Sequence, residues 1–239
     1  MKITSVNNEK VKMWSKLRMK KYRDIEHLFL VEGPNLVEEA LKKGIVCEVI
    51  TTDEKLTFDV PVYYVNNEVM QKISTLLNAQ SIAAVCKYIM PDDIKGNVII
   101  LDHIQDPGNL GTIIRSAVAF NFETVIVSND SVDFYNDKVI RASEGMFFHV
   151  NLIKDDLISI IPLLKNKGYK IIGTDVVKGE DIRTFTNSLN AYVIGNEGNG
   201  LSVETKEICD DFVYIPISKT CESLNASVAA SIIMYEDSK

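Results

Sequence analysis

The stretch Ala191-Tyr192-Val193-Ile194-Gly195-Asn196-Glu197-Gly198-Asn199-Gly200-Leu201-Ser202 runs from four apolar residues into a loop with three glycines in six positions. An unbroken apolar run, without the polar alternation of a half-exposed strand, fits a strand covered on both faces, as in a parallel sheet. Comparable strands are expected at Val98–Leu101, Thr124–Val127, Lys170–Gly173 and Phe212–Ile217. Helical patterns at Leu110–Phe120, Asn136–Ala142, Leu157–Lys167, Val203–Cys209 and Leu224–Tyr235 are interleaved with them. This alternation predicts an α/β domain with a mainly parallel, Rossmann-like sheet.

Outward from that domain the pattern changes. Apolar residues Val11, Trp14 and Leu17, with Ile25 further on, recur at helical spacing among lysines and arginines, predicting one amphipathic basic helix from Asn8 to about Ile25. A short strand at Phe29–Gly33, a helix opened by Pro34 and closed by Gly44, strands at Cys47–Thr51, Val60–Val65 and Ile82–Tyr88, and a helix near Asn67–Thr75 make a small α/β unit. The polar segment Pro91-Asp92-Asp93-Ile94-Lys95-Gly96 is the linker expected between domains at 1–90 and 97–239.

Charge is distributed unevenly. The chain of 239 residues has a formal charge of −7, yet its first 23 residues hold eight of the 26 basic groups and one acid, leaving 18 basic against 32 acidic downstream. A cationic segment on an acidic body suits phosphate contacts, and a solvated helix face has the same composition. Lys10, Lys12, Lys20, Lys21 and Arg23 are the candidate RNA contacts. Hydrophobic residues make up 46% of the chain, as in ordinary globular proteins. The start has no apolar leader and no later run is long enough for a membrane span, so a cytoplasmic protein is expected. Four scattered cysteines and three distant histidines form no zinc or disulfide pattern; reduced thiols and no metal are expected.

Three segments carry candidate chemistry. In Leu101–Ala117 a Pro-Gly turn leads to Asn109, placed as a helix N-cap, with Arg115 expected within the next two turns and directed to the same end of the sheet. A guanidinium there serves equally as a phosphate clamp or in a structural ion pair. The glycine loop reads G-x-x-G-x-G rather than the dinucleotide order G-x-G-x-x-G. Glu197 at its centre would repel a pyrophosphate but not a ligand bearing a sulfonium and an amine, and a plain tight turn remains the alternative. In Phe212–Ala230 a strand ends at a Pro-containing loop, and Ser223 is placed to cap a long final helix whose early face, Asn225, Ala226, Ser227 and Ala230, is small and polar. Such a face suits close contact with backbone, ligand or a second subunit.

Taken together, Asn109-x5-Arg115, Gly195-Asn196-Glu197-Gly198-x-Gly200, and Ile215-Pro216-Ile217 followed by Glu222-Ser223-Leu224-Asn225-x-Ser227-Val228-Ala229 resemble the three motifs of the SpoU (TrmH-like) RNA 2′-O-ribose methyltransferases, in order and spacing. Tyr135-Asn136 through Phe148 is similar to the family too, and the first 90 residues resemble its L30e-like substrate-binding domain. The loop Ser218–Cys221 departs from the pattern by lacking a glycine before Glu222. The resemblance implies a C-terminal α/β-knot domain with a deep trefoil knot, a homodimer, and methyl transfer from S-adenosylmethionine to a ribose 2′-hydroxyl. It assigns catalysis to Arg115, Asn109, Glu197, Ser223 and Asn225, and cofactor binding to Thr174, Gly195, Ile215 and Leu224. Large-subunit ribosomal RNA is the substrate it favours; transfer RNA, or a non-catalytic RNA-binding role, are the alternatives.

Overall fold

The structure is a computed structural model that describes residues 1–176, 178–185 and 189–239. In chain order the strands are β1 (Lys2–Ile3), β2 (Leu28–Glu32), β3 (Val46–Thr51), β4 (Val62–Val65), β5 (Ile82–Lys87), β6 (Asn97–Leu101), β7 (Phe122–Ser128), β8 (Asn151–Asp155), β9 (Lys170–Asp175), β10 (Glu180–Asp181), β11 (Asn190–Ile194) and β12 (Asp211–Tyr214). The helices are α1 (Glu9–Lys16), α2 (Lys20–Glu26), α3 (Pro34–Lys43), α4 (Asn67–Ile73), α5 (Pro107–Ala119), α6 (Asp137–Ala142), α7 (Leu157–Asn166), α8 (Val203–Ile208) and α9 (Ala226–Asp237).

Two compact units divide the chain: Met1–Met90 with Tyr135–Phe148, and Pro91–Phe134 with His149–Lys239. The sequence reading kept 97–239 in one stretch; Tyr135–Phe148 departs from it because aromatic packing ties that segment to the first unit. Tyr135 stacks on Tyr88 with ring centroids 3.8 Å apart, and Phe147 lies 5.9 Å from Phe29. Asp137 accepts a hydrogen bond from Thr75 Oγ1 at 2.6 Å.

In the first unit, a mixed sheet of order β1-β4-β3-β5-β2 backs onto a core of Val11, Trp14, Leu17, Ile50, Val69 and Met70. The single basic helix expected over residues 8–25 is two helices, broken at Leu17-Arg18-Met19. Val11, Trp14 and Leu17 are buried as expected, but Ile25 is exposed on α2. The break explains the changed periodicity, and Arg23 reinforces it by donating from its guanidinium to the carbonyls of Leu17 and Arg18, both at 3.0 Å.

The second unit holds, among the described residues, seven strands in the order β10-β12-β9-β11-β6-β7-β8, every neighbouring pair parallel. The interior strands β6, β7, β9 and β11 are the unbroken apolar runs of the sequence. The edge strand β8, Asn-Leu-Ile-Lys-Asp, is only half-buried and was missed because its apolar run is two residues long. β12 stops at Tyr214, so Ile215–Ile217 lie in a loop rather than in the expected strand. The chain travels outward through β6, β7 and β8, then starts β9 on the far side of the gap that β11 later fills. Ligand crevices form at such a reversal, beyond the carboxyl ends of the strands.

The last helix is fixed at its far end by Asp237, whose carboxylate accepts from Asn97 at 2.6 Å and from the Tyr192 hydroxyl at 2.7 Å. Burial and this carboxylate together hold the Tyr192 phenol well above its ordinary pKa. None of the described helices is long and apolar enough to cross a membrane.

Candidate active site

Four loops leave the carboxyl ends of β6, β9, β11 and β12, and those after β9, β11 and β12 enclose a cleft of about 330 Å³. Thr174, Gly195, Ile215 and Leu224, the expected cofactor contacts, all line it, as do Glu197 and Ser223. Its walls alternate apolar side chains, Val213, Ile215, Ile217 and Leu224, with the main chain of the glycine loop. Thr174 donates its hydroxyl to Val193 O at 2.9 Å, which turns its methyl group away from that bond.

The glycine loop is a closed turn. Asn196 and Gly200 exchange backbone hydrogen bonds at 2.9 and 3.0 Å, and Asn196 Oδ1 accepts from the amides of Gly198 at 2.9 Å and Asn199 at 3.1 Å. A Cβ on Gly195 would lie 2.2 Å from the Gly200 carbonyl carbon, so the turn closes only over a glycine. This is a tight turn, as one sequence reading allowed, but a tight turn that forms one wall of the cleft.

A buried carboxylate ties this loop to the one that follows β6. Asp102 is 1% exposed; its Oδ2 accepts from the Ser202 amide and hydroxyl, each at 2.8 Å, and its Oδ1 faces His103 Nδ1. His103 stands at φ 60°, in the left-handed region, and its carbonyl accepts from Asn196 Nδ2 at 2.8 Å. The sequence reading gave no role to Asp102 or Ser202, and none to Asn196 beyond its place in the glycine motif; an acid directly after an apolar strand was the available signal for Asp102.

Asn109 is not the N-cap of α5. Asp106 takes that position and accepts the Asn109 amide at 2.9 Å, with Pro107 as the first helical residue, so the Asp-Pro pair marks the start. Asn109 sits instead in the first turn, leaving its side chain free to donate to Glu197 Oε1 at 2.8 Å and accept from Asn225 Nδ2 at 3.0 Å. Ser223 likewise is not the cap of the final helix: Asn225 is, its Oδ1 accepting from the amides of Ser227 and Val228. Ser223 is exposed at the cleft. Three of the five expected catalytic residues, Asn109, Glu197 and Asn225, are thus joined in one hydrogen-bonded chain.

Arg115 stands apart from that chain. Six residues after Asn109, it is turned about 240° around α5 and displaced about 9 Å along it, so the two side chains leave different faces of the helix. It is exposed and its guanidinium has no ion pair or hydrogen bond among the described residues. The reading as a structural ion pair is therefore not met. Thr112, one turn before it, lines a shallow surface groove with Ser227, Val228, Ser231, Ile232 and Tyr235.

The candidate RNA contacts of the first unit divide in two. Lys10 pairs with Glu48, which is buried and also accepts from Trp14 Nε1, and Arg23 is buried at the helix break. Arg23 is thereby committed to the fold, a correction to its reading as a surface contact, whereas the Lys10 side chain stays 40% exposed while paired. Lys12 and Lys20 make exposed pairs with Glu9 and Asp24, and Lys21 lies 5.9 Å from the centre of the Tyr22 ring.

Residues 96–235 match the model of the SpoU rRNA Methylase family, and residues 8–84 that of the MRM3-like substrate binding domain. The chain is 37% identical over 243 residues to the 23S rRNA (guanosine(2553)-2′-O)-methyltransferase RlmP of Bacillus subtilis, covering 98% of this chain and 97% of that protein. An AdoMet-bound rRNA methyltransferase from Sinorhizobium meliloti superposes with a TM-score of 0.89 at 26% identity, covering 99% of this chain and 96% of the other. The crystal structure of an RNA 2′-O ribose methyltransferase gives 0.82 at 26% identity, covering 99% and 97%. This chain belongs to the SpoU rRNA methylase family.

Proposed function

We infer that this protein transfers a methyl group from S-adenosylmethionine to a ribose 2′-hydroxyl of ribosomal RNA. The observation that carries the reading is the convergence of Asn109, Glu197 and Asn225, from three distant segments, beside a cleft lined by Thr174, Gly195, Ile215 and Leu224. The family and the likeness to RlmP over nearly the whole chain supply the reaction and the RNA class. The cleft fits the ligand: apolar walls for an adenine ring, loop carbonyls for its polar edge, and the Glu197 and Asp175 carboxylates for positive charge.

When bound, the ligand supplies a methyl group already activated by positive sulfur. The chain is left to orient the attacking oxygen and to deal with its proton. Asn109, held between Glu197 and Asn225, fixes the Glu197 carboxylate against the cleft wall. Ser223 presents a hydroxyl at the same wall. A guanidinium is a donor with no lone pair to offer as a base, so Arg115 acts by gripping a neighbouring phosphate and stabilising the developing alkoxide.

The protein works as a homodimer in this reading. Thr112, Arg115, Ser116 and Ala119 recur on one face of α5, and the groove beside them exposes Val228 and Tyr235 at 46% and 49%. A second copy seated there would bring its Arg115 toward the cleft of the first, whose lining does not include the first chain's own arginine. The first unit guides RNA through Lys12, Lys20 and Lys21, whose exposed ion pairs exchange cheaply for phosphate.

Incubation with tritiated S-adenosylmethionine and separate pools of undermethylated ribosomal and transfer RNA tests the reading. Alkali-resistant label in ribosomal RNA is the expected result. Label confined to transfer RNA overturns the substrate class, and none in either pool overturns the activity.

A further inference from the structure

We propose that Lys206, on α8, is the counter-charge for the amino-acid carboxylate of the methyl donor. The proposal rests on S-adenosylmethionine being the ligand of the cleft. Three charged side chains line that cleft among the described residues: Asp175, Glu197 and Lys206. The ligand carries the mirror set, a sulfonium, an ammonium and one carboxylate. Two acids therefore answer two cations, and a single lysine answers the single anion.

Glycine loops usually hold anions through free backbone amides. Here those amides are already used: Gly198 and Asn199 donate to Asn196 Oδ1, and Gly200 donates to Asn196 O. The loop that forms one wall of the cleft thus has these three donors occupied, and a carboxylate drawn out of water there must find its partner elsewhere.

Lys206 is the available partner. It is exposed, and its ammonium has no ion pair or hydrogen bond among the described residues. The acid four residues on, Asp210, lies beyond Cys209, the extended C-cap of α8, and so outside the helix. It is committed to Lys165 Nζ at 2.6 Å and to the Ile171 amide at 2.9 Å. Glu204 and Glu207, two residues before and one after, point to other sides of the helix. Nothing on α8 neutralises Lys206, and the cleft beside it lacks any other cation among the lining residues.

A binding cycle by calorimetry on the full chain at low salt tests this. The wild type and Lys206→Met are each titrated with S-adenosylmethionine and with its decarboxylated analogue, which keeps the sulfonium and the amine. Lys206→Met is expected to weaken S-adenosylmethionine roughly five-fold and to leave the analogue unchanged, the size of an exposed ion pair. Lys206→Arg retains the charge and should recover most of the loss. An unchanged affinity for S-adenosylmethionine in Lys206→Met overturns the assignment, and so does an equal loss for both ligands. A wild type that binds neither ligand overturns the cofactor reading itself, which separates that failure from a misplaced lysine.

Discussion

Asn225 donates its side-chain amide to Asn109 Oδ1 at 3.0 Å across 116 positions of sequence, while its own Oδ1 caps the final helix. One side chain therefore both starts α9 and holds the residue that orients Glu197. The two tasks separate by substitution. Asp caps a helix as well as Asn does, but its carboxylate would face the Asn109 carbonyl oxygen, and Asn109 cannot turn over without presenting that oxygen to Glu197. Asn225→Asp should keep the unfolding temperature within a few degrees while methyl transfer falls by about ten-fold or more. Asn225→Ala should lose activity and about 1 kcal/mol of stability as well. Thermal unfolding beside tritium transfer reads both, and an active Asn225→Asp enzyme would show that Asn109 needs no such restraint.

Arg115 gives the opposite pattern to a structural arginine. Because it is exposed and unengaged among the described residues, Arg115→Ala should change stability by no more than about 0.5 kcal/mol. Turnover should fall by about 100-fold, and Arg115→Lys should recover little of it, since a point charge does not replace the planar fork. Near-normal turnover in Arg115→Lys would remove the argument for bidentate phosphate contact.

The parallel sheet was legible because β6, β7, β9 and β11 are unbroken apolar runs, a local signal that survives without knowledge of neighbours. The motif residues were legible too, but their local roles were misread one step along the chain. Asn109 and Asn225 are both residues that cap helices well, and the sequence reading gave the cap to Asn109 and to Ser223, where the structure uses Asp106 and Asn225. Moving the start of α5 back to Pro107 puts Asn109 inside the first turn and frees its side chain from capping, a shift of three residues that no composition argument detects. The attachment of Tyr135–Phe148 to the first unit depends on Tyr88 and Phe29, far away in sequence, and nothing in its own periodicity announces it. Arg23 escaped for the same reason: a cation among cations looks solvated until the helix break that buries it is known.

Gly195 tests whether the closed turn is required by the cleft. Alanine would place a methyl group 2.2 Å from the backbone carbon of Gly200, and backbone there cannot yield without breaking the Asn196–Gly200 pair. Overpacking of this kind costs about 1 to 3 kcal/mol, and the strain falls on the wall of the cleft. Gly195→Ala should therefore weaken S-adenosylmethionine binding in calorimetry by at least about ten-fold, more than the accompanying drop in unfolding temperature would suggest. A variant that binds normally would place the ligand away from this loop.

Asp137 makes the first unit sensitive to acid. Burial by itself would raise its pKa, but hydrogen bonds from Thr75 and Arg141, with the Arg141 charge, outweigh burial and leave the carboxyl below its ordinary value. A folded-state pKa lower than the unfolded one means that stability is fully present above the unfolded value, about 3.9, and is lost as the pH falls through the folded one. Asp137→Asn removes the titration, keeps an acceptor for Thr75, and gives up the ion pair with Arg141. Denaturant midpoints measured from pH 6 down to pH 2 should fall less steeply for Asp137→Asn than for the wild type below about pH 4, while the variant is the weaker of the two at pH 6. Parallel curves through that window would mean that the Asp137 carboxyl titrates alike in the folded and unfolded chains, and that Tyr135–Phe148 is held to its unit by aromatic packing alone.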